Sequence, residues 1–444
     1  MRVFMLAVVV AAIAASSCGK TLLPGYCRTN DDCKGRGSGI CDNDLDGGTF
    51  TCGDAGASDA ADGRPDGGEA GDAPEAGDAS DAAIDAPFQC TMSSQCVGRD
   101  GGAGNVCEPI SGACVECLPA MKDACTGTKP VCVGTVCAPC TNDSDCGGPR
   151  ICMTDGHCAT DTEVIFLDYT AAACPGDGSS ATPACTLMAA MTMVKIGHPV
   201  LVIRGPIPDR LVVNTTGVSP VIVGRKNAAG EDALFSAPSP TTAIQVLSDD
   251  VLIRDLAVGG GSGGSSKGIV VTGGSAKATL VRVRVELGTG LGIQADMGAA
   301  LTMDRCYVLN NSAGGLVING VRSYSIENSV FAGNGVTQVQ LSGTMNTTPA
   351  RFAFNTVIAT SGSAAICDPS PNTKSLSDSI VVGGTSCTLG NSVITMPAFK
   401  ASSPYHLTGH TACMNGPTMV PPHDIDGDPR AGADIDCGAD QFVQ

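Results

Sequence analysis

Three charged residues in the second half of the chain, Arg282, Asp304 and Glu327, recur at intervals that would stack them on one face of a coiling chain. Stacked strands lie about 4.8 Å apart, which suits a surface salt-bridge ladder first and a catalytic cluster second. Alternating carboxylates raise a second chemistry, because calcium prefers several hard oxygens. Asp42, Asp44 and Asp46 open such a pattern before Gly47, although Gly53 stands where a calcium loop needs Glu. Asp424, Asp426 and Asp428 share the stagger, yet Gly427 and Pro429 do not suit that loop. Calcium is thus the one cofactor these residues suggest, with solvated acidic turns as the plainer account. His406 and His410 have the i, i+4 interval of a helical zinc pair, but Gly409 and Pro404 argue against a helix there. Cys306 has no evident pairing partner and no His nearby in sequence, so it is expected to be a buried, inert thiol. No nucleophile elbow, phosphate loop or nucleotide fingerprint occurs in a fitting context.

The elements that would position these residues are a repeat. A block of about 23 residues places a first apolar strand core at Ile253, Val281, Met303, Ile326 and Ala353. A second core, usually after Gly, falls at Ile269, Ile293, Leu316 and Val339. A period in this range with Gly/Asn/Ser corners indicates an all-β solenoid. Asp255, Asn328 and Asn355 recur at one offset and predict a corner ladder, since Asn and Asp tolerate left-handed backbone. Leu256, Cys306, Ser329 and Thr356 form the neighbouring column, expected to point inward. Before the repeats, residues 184–195 read as a short helix with Leu187, Met188, Met191 and Val194 on one face. Apolar strands follow at 199–205 and 221–225.

The chain has 24 Cys, 58 Gly, no Trp and a formal net charge of −18. That charge argues against nucleic acid, whose binding depends on Lys and Arg. Four sets of four Cys precede the solenoid. They are Cys27, Cys33, Cys41 and Cys52; Cys90, Cys96, Cys107 and Cys114; Cys117, Cys125, Cys132 and Cys137; and Cys140, Cys146, Cys152 and Cys158. Segments this short cannot bury enough apolar surface to fold alone, so disulfides are expected to hold them. Each set allows three pairings, and sequence does not choose among them. Zinc is the competing account, but C-x₂-C spacings fall only between sets. Cys174 with Cys185, Cys367 with Cys387, and Cys413 with Cys437 complete the pairing.

Residues 53–88 hold ten Asp or Glu against Arg64 alone and almost no large apolar side chain. Such a segment cannot offset the entropy of ordering and reads as a disordered acidic spacer. At the start, Arg2, the apolar run 3–14 and Ala15-Ser16-Ser17-Cys18 read as an export signal too short to span a bilayer. The expected organisation is a signal peptide at 1–17, an N-terminus with a Cys-rich module at 18–52, the spacer at 53–88, Cys-rich repeats at 89–158 and a β-helix at 159–444.

Several stretches resemble known families. Small residues ending in Cys18 resemble the lipobox of bacterial lipoproteins, with Ala15 where that box usually has Leu. This implies cleavage before Cys18, a diacylglyceryl thioether on its sulfur and attachment to the bacterial envelope at the outer membrane or cell surface. The wording Cys27-Arg-Thr-Asn-Asp-Asp-Cys33 and Cys140-Thr-Asn-Asp-Ser-Asp-Cys146 resembles Cys-rich repeats of bacterial surface lipoproteins and, distantly, the Dickkopf N-terminal type. The cap, the rungs and the tail from Asp424 to Asp440 resemble right-handed parallel β-helix proteins with a pectate-lyase-like fold, over residues 163–442. That likeness implies the fold and raises a polysaccharide lyase or glycoside hydrolase as an alternative. The Gly-His-Gly and Arg-Ile-Lys motifs of polygalacturonases are missing, as is the Trp-containing motif of pectate lyases. Aromatic residues, which serve as sugar platforms, make up only 3%. The expected function is therefore a non-catalytic surface protein that contacts the membrane through lipid and a polysaccharide or surface protein through its β-helix.

Overall fold

The chain forms two units, Met1–Ile84 and Asp85–Gln444. The computed structural model describes residues 41–42, 51–52, 89–97, 105–119, 124–147, 150–172, 174–236, 241–259, 266–286, 288–343, 350–368, 375–401, 403–413, 419–430 and 435–441. The expected signal peptide, Cys18, the spacer 53–88, Cys27, Cys33, Asp44 and Asp46 lie outside them. In the first unit Cys41–Asp42 pairs antiparallel with Thr51–Cys52, and the side chains of Cys41, Asp42 and Cys52 lie outside the described set.

The second unit is built on a parallel β-solenoid whose turns each contribute strands to three stacks. The first stack is a ten-stranded sheet that includes Val164–Asp168, Val200–Arg204, Val221–Arg225, Val251–Arg254, Lys277–Val281, Ala300–Asp304 and Ser323–Glu327. The second stack holds short strands such as Ala257–Gly259, Arg284–Glu286, Tyr307–Leu309 and Val330–Ala332. The third runs through Leu211–Val213, Ile244–Val246, Lys267–Thr272, Leu291–Asp296, Gly314–Asn319 and Thr337–Ser342. The long strand Thr356–Cys367 belongs to both and joins them into one 14-stranded sheet. Every pairing in the two sheets is parallel, as crossovers of a coil require.

Side-chain alternation then sends one residue in two to the interior. Ile269, Ile293, Leu316 and Val339 stand in register, all fully buried, as their spacing predicts. The first series needs correction at two positions. Leu280, not Val281, pairs with Ile253 and Met303, and Phe352, not Ala353, pairs with Ile326. Apolar neighbours surround both sites, so alternation alone does not say which residue faces in. Burying each such side chain stabilises by about 1.5–3 kcal/mol before entropy is counted.

The corner after the first stack follows the corrected register. Asp255, Arg282, Arg305, Asn328, Phe354, Asp378 and Asn391 all take positive φ. Asn355 is therefore not a corner residue. It belongs to the inward column with Leu256, Cys306 and Ser329, where its carboxamide oxygen accepts from Ser329 N at 2.9 Å. The ladder continues, with Ser329 Oγ accepting from Cys306 N and Ser379 Oγ from Asn355 N. Each buried polar group thus satisfies the main chain of the adjacent turn. Thr356, expected inward, lies one residue past this column, and its hydroxyl accepts from Ala439 N at 3.0 Å.

The helix is shorter than the predicted 184–195, covering Leu187–Met193 with Thr186 as N-cap. Ala184 is held extended by a parallel bridge to Leu167, and the chain turns at Lys195 and His198. Leu187, Ala190 and Val194 close the first coil, whereas Met188 is exposed.

Three Cys sets of the second unit share one connectivity, first to third and second to fourth. The bonds are Cys90–Cys107, Cys96–Cys114, Cys117–Cys132, Cys125–Cys137, Cys140–Cys152 and Cys146–Cys158. Cys174–Cys185, Cys367–Cys387 and Cys413–Cys437 are also bonded. The last module folds onto the outside of the first stack. Ile151 and Ala159 pack on Val164, Phe166, Val200, Val202, Val221 and Val223. Asp143 receives Arg254 Nη2 at 2.7 Å and also pairs with Arg225. At the other end the tail covers the second stack, with Ile425 and Ala439 against Val330, Ala332 and Ile358.

Candidate functional site

Where the tail crosses the first stack it leaves a cleft of about 200 Å³ lined by Thr302, Asp304, Ser325, Glu327, Asn328 and His423, among others. Asp304 and Glu327 are direct partners on adjacent strands, so their side chains leave the same face. Both are engaged. Asp304 Oδ2 accepts from Arg305 Nε at 2.8 Å and its Oδ1 from Asn328 Nδ2 at 2.9 Å. Arg351 Nε lies 2.5 Å from Glu327 Oε1 as an ion pair without hydrogen-bond alignment.

Arg282 does not join this pair. It occupies the positive-φ corner and grips Asp255 with two bonds, Nε at 2.5 Å and Nη2 at 2.8 Å. That grip, with help from Asp304, raises its pKa against the cost of burial. Asp255 also meets Arg225 and Arg254, so Arg282 extends the ionic network that begins at Asp143. The trio suggested by spacing is thus a carboxylate pair in one place and a cation in another.

The tail gathers the other sequence candidates. Asp424 is fully buried and spends its carboxylate on main-chain donors, taking Asp426 N, Asp428 N and Gln441 N at 2.9–3.0 Å. It fixes the turn that carries Asp426 and Asp428, both exposed. His406, on the strand Ser403–Leu407, places Nδ1 2.8 Å from Asp426 Oδ2 and 3.8 Å from Asp440 Oδ1. Burial, aided by the charges of Asp424 and Asp426, pushes the Asp440 carboxyl up to about 6 despite the Leu407 N–H and His406. Burial likewise raises Asp426 and Tyr307 nearby. His410 turns away to Asp436, 3.4 Å off, so the two histidines serve different carboxylates.

Cys306 is wholly buried and unbonded to another Cys, and burial pushes its thiol up to about 12. Its Sγ points at the carbonyls of Leu280 and Asp304, a structural and unreactive setting.

Sequence reasoning missed His423 in the cleft and Asp440 beside His406. Neither has a periodic signal: His423 reaches turns about a hundred residues earlier in the chain, and Asp440 meets His406 within the non-repeating tail. The fold and its side-chain clusters together define a parallel β-helix protein with disulfide-rich modules. No protein-family model matches the chain, and no curated protein does. A solved structure similar in part is the native GH136 lacto-N-biosidase from Eubacterium ramulus, at TM-score 0.31 and 8% identity. The likeness covers 51% of this chain and 61% of that one.

Proposed function

We propose that this chain is an exported bacterial surface protein, held by lipid on Cys18 and extended by its acidic spacer, whose solenoid displays a binding surface without catalysing a reaction. The observation that carries the non-catalytic reading is the state of the two cleft carboxylates. Glycoside cleavage needs one carboxyl free to donate a proton and another free to attack or activate water. Asp304 and Glu327 are each engaged by neighbouring side chains. Nine disulfides among the described residues support export, because such bonds persist in oxidising compartments. Adhesion to a polysaccharide or surface protein of the envelope or matrix is the role that fits.

The test incubates the full chain with a panel of acidic and neutral polysaccharides, with and without calcium. Retention on one of them without new reducing or unsaturated ends supports display. Release of such ends, abolished by Asp304→Ala, refutes it and establishes the second reading, a polysaccharide lyase or glycoside hydrolase. That reading has one observation in its favour, the two carboxylates and His423 sharing a cleft. Palmitate labelling that persists in Cys18→Ser would overturn the anchor.

A further inference from the structure

We propose that His406, Asp426 and Asp440 bind one first-row divalent cation of the zinc type, which pins the tail to the solenoid. Three separate stretches of chain supply the ligands: the strand Ser403–Leu407, the turn at 424–428 and the segment 435–441. Their ligand atoms all lie within 4.8 Å of one another. Ligands sharing a tetrahedral ion with bonds of about 2.0–2.1 Å stand roughly 3.3 Å apart. The observed 2.8 and 3.8 Å separations from His406 Nδ1 bracket that value.

Asp440 is the most enclosed of the three ligands. Its side chain is only 6% exposed, and Leu407 N–H occupies Oδ2 at 2.5 Å. Its Oδ1 faces His406 across 3.8 Å, beyond hydrogen-bond reach. This side chain is more than nine-tenths buried while one of its oxygens has no hydrogen-bond donor, and a cation shared with the imidazole would give that oxygen a partner. The surrounding charge favours this. Asp424 and Asp428 flank Asp426. Of the guanidiniums near the tail, that of Arg430 is committed to the carbonyls of Asp436, Gly438 and Ala439, and that of Arg305, beside Gly427, pairs with Asp304.

The donor set selects the ion. An imidazole with two carboxylates suits zinc or a neighbouring transition metal, whereas calcium wants six or more oxygens. Asp424 is already saturated by main-chain donors and is not an additional ligand.

The test titrates Zn²⁺ into the chelator-stripped full chain by calorimetry. One site is expected, weakened at least about tenfold by His406→Ala and by Asp440→Asn. Asp428→Asn, altering an exposed neighbour, should leave affinity within about twofold. Co²⁺ absorption in the unmutated protein, displaced by Zn²⁺, reads the same site should either variant misfold. Failure of the wild type to take up Zn²⁺ or Co²⁺ overturns the proposal, as do uptake unchanged in both ligand variants and displacement of Zn²⁺ by millimolar Ca²⁺. None of these outcomes bears on surface display, which the polysaccharide panel addresses separately.

Discussion

Two segments from opposite ends of the second unit fold back onto the outside of the solenoid, and they hold it by different means. At the front, the last Cys-rich module meets charge with charge. One carboxylate, Asp143, serves both Arg225 and the buried Arg254, and Arg254 also donates to Cys152 O. At the back, Arg430 is buried against the ring of Phe354 and donates to the carbonyls of Asp436, Gly438 and Ala439. Burial lowers the pKa of both guanidiniums, that of Arg430 to about 10, although nearby carboxylates oppose it. Nε of each has no hydrogen-bonding partner. The contrast shows that a solenoid face can be closed by discrete ion pairs or by main-chain dipoles around one cation. The first route depends on a single acidic residue, the second on the path of a whole segment.

Arg430→Met should destabilise the protein most. It strips donors from three buried carbonyls, at a cost of about 4 kcal/mol. Calorimetric melting should show the loss, and a change below about 1 kcal/mol would mean the tail is held by its apolar contacts alone. Asp143→Ala comes next. It leaves Arg254 buried without this ion-pair partner and should cost about 3 kcal/mol. High salt should narrow the gap between this variant and wild type only slightly, because Arg254 is 7% exposed and poorly screened. A gap that salt abolishes would place the pair at the surface instead.

Between the two covers lies the interior ladder. Asn355→Ala removes donors to Ile326 O and Ala353 O and an acceptor for Ser329 N. We expect about 2 kcal/mol of destabilisation, additive with Asp143→Ala since the sites share no partner. A large coupling in the double mutant would show the front cover and the interior responding as one.

A weaker, pH-dependent contribution holds the front junction. His157 sits between Asp155 and Glu163, with ring nitrogens 2.6 and 3.1 Å from their carboxylates. Burial opposes the charged ring, but these bonds outweigh it and raise its pKa above the ordinary 6.5. A raised folded pKa means that its stabilisation is fully present below about 6.5 and fades as pH rises through the folded value. His157→Gln should flatten that slope in melting temperature against pH, and an unchanged slope would remove His157 from the account.

The sequence signalled the solenoid through Ile269, Ile293, Leu316 and Val339, because inward positions in register leave a fixed period. It misplaced Val281 and Ala353 where apolar residues stand side by side, as in Phe352-Ala353-Phe354, and the error carried Asn355 and Thr356 to the wrong columns. The pairing of Asp304 with Glu327 was legible, since both lie on the repeat. The destination of Arg282 was not, because a corner residue with positive φ swings its side chain to the preceding turn. Contacts such as Asp143 with Arg254, or His406 with Asp440, join segments with no common periodicity. Only the folded chain brings them together.

Register between turns has a consequence for length. Lys277 pairs directly with Ala300, so residues 277–299 make one complete coil whose upper and lower surfaces match. A duplicate of that coil inserted at residue 300 would meet congenial neighbours on both sides. It would move the two covers apart by one strand spacing, about 4.8 Å, without touching the attachments of either. The middle of this molecule is in that sense a gauge adjustable in whole steps, while its ends stay as they are.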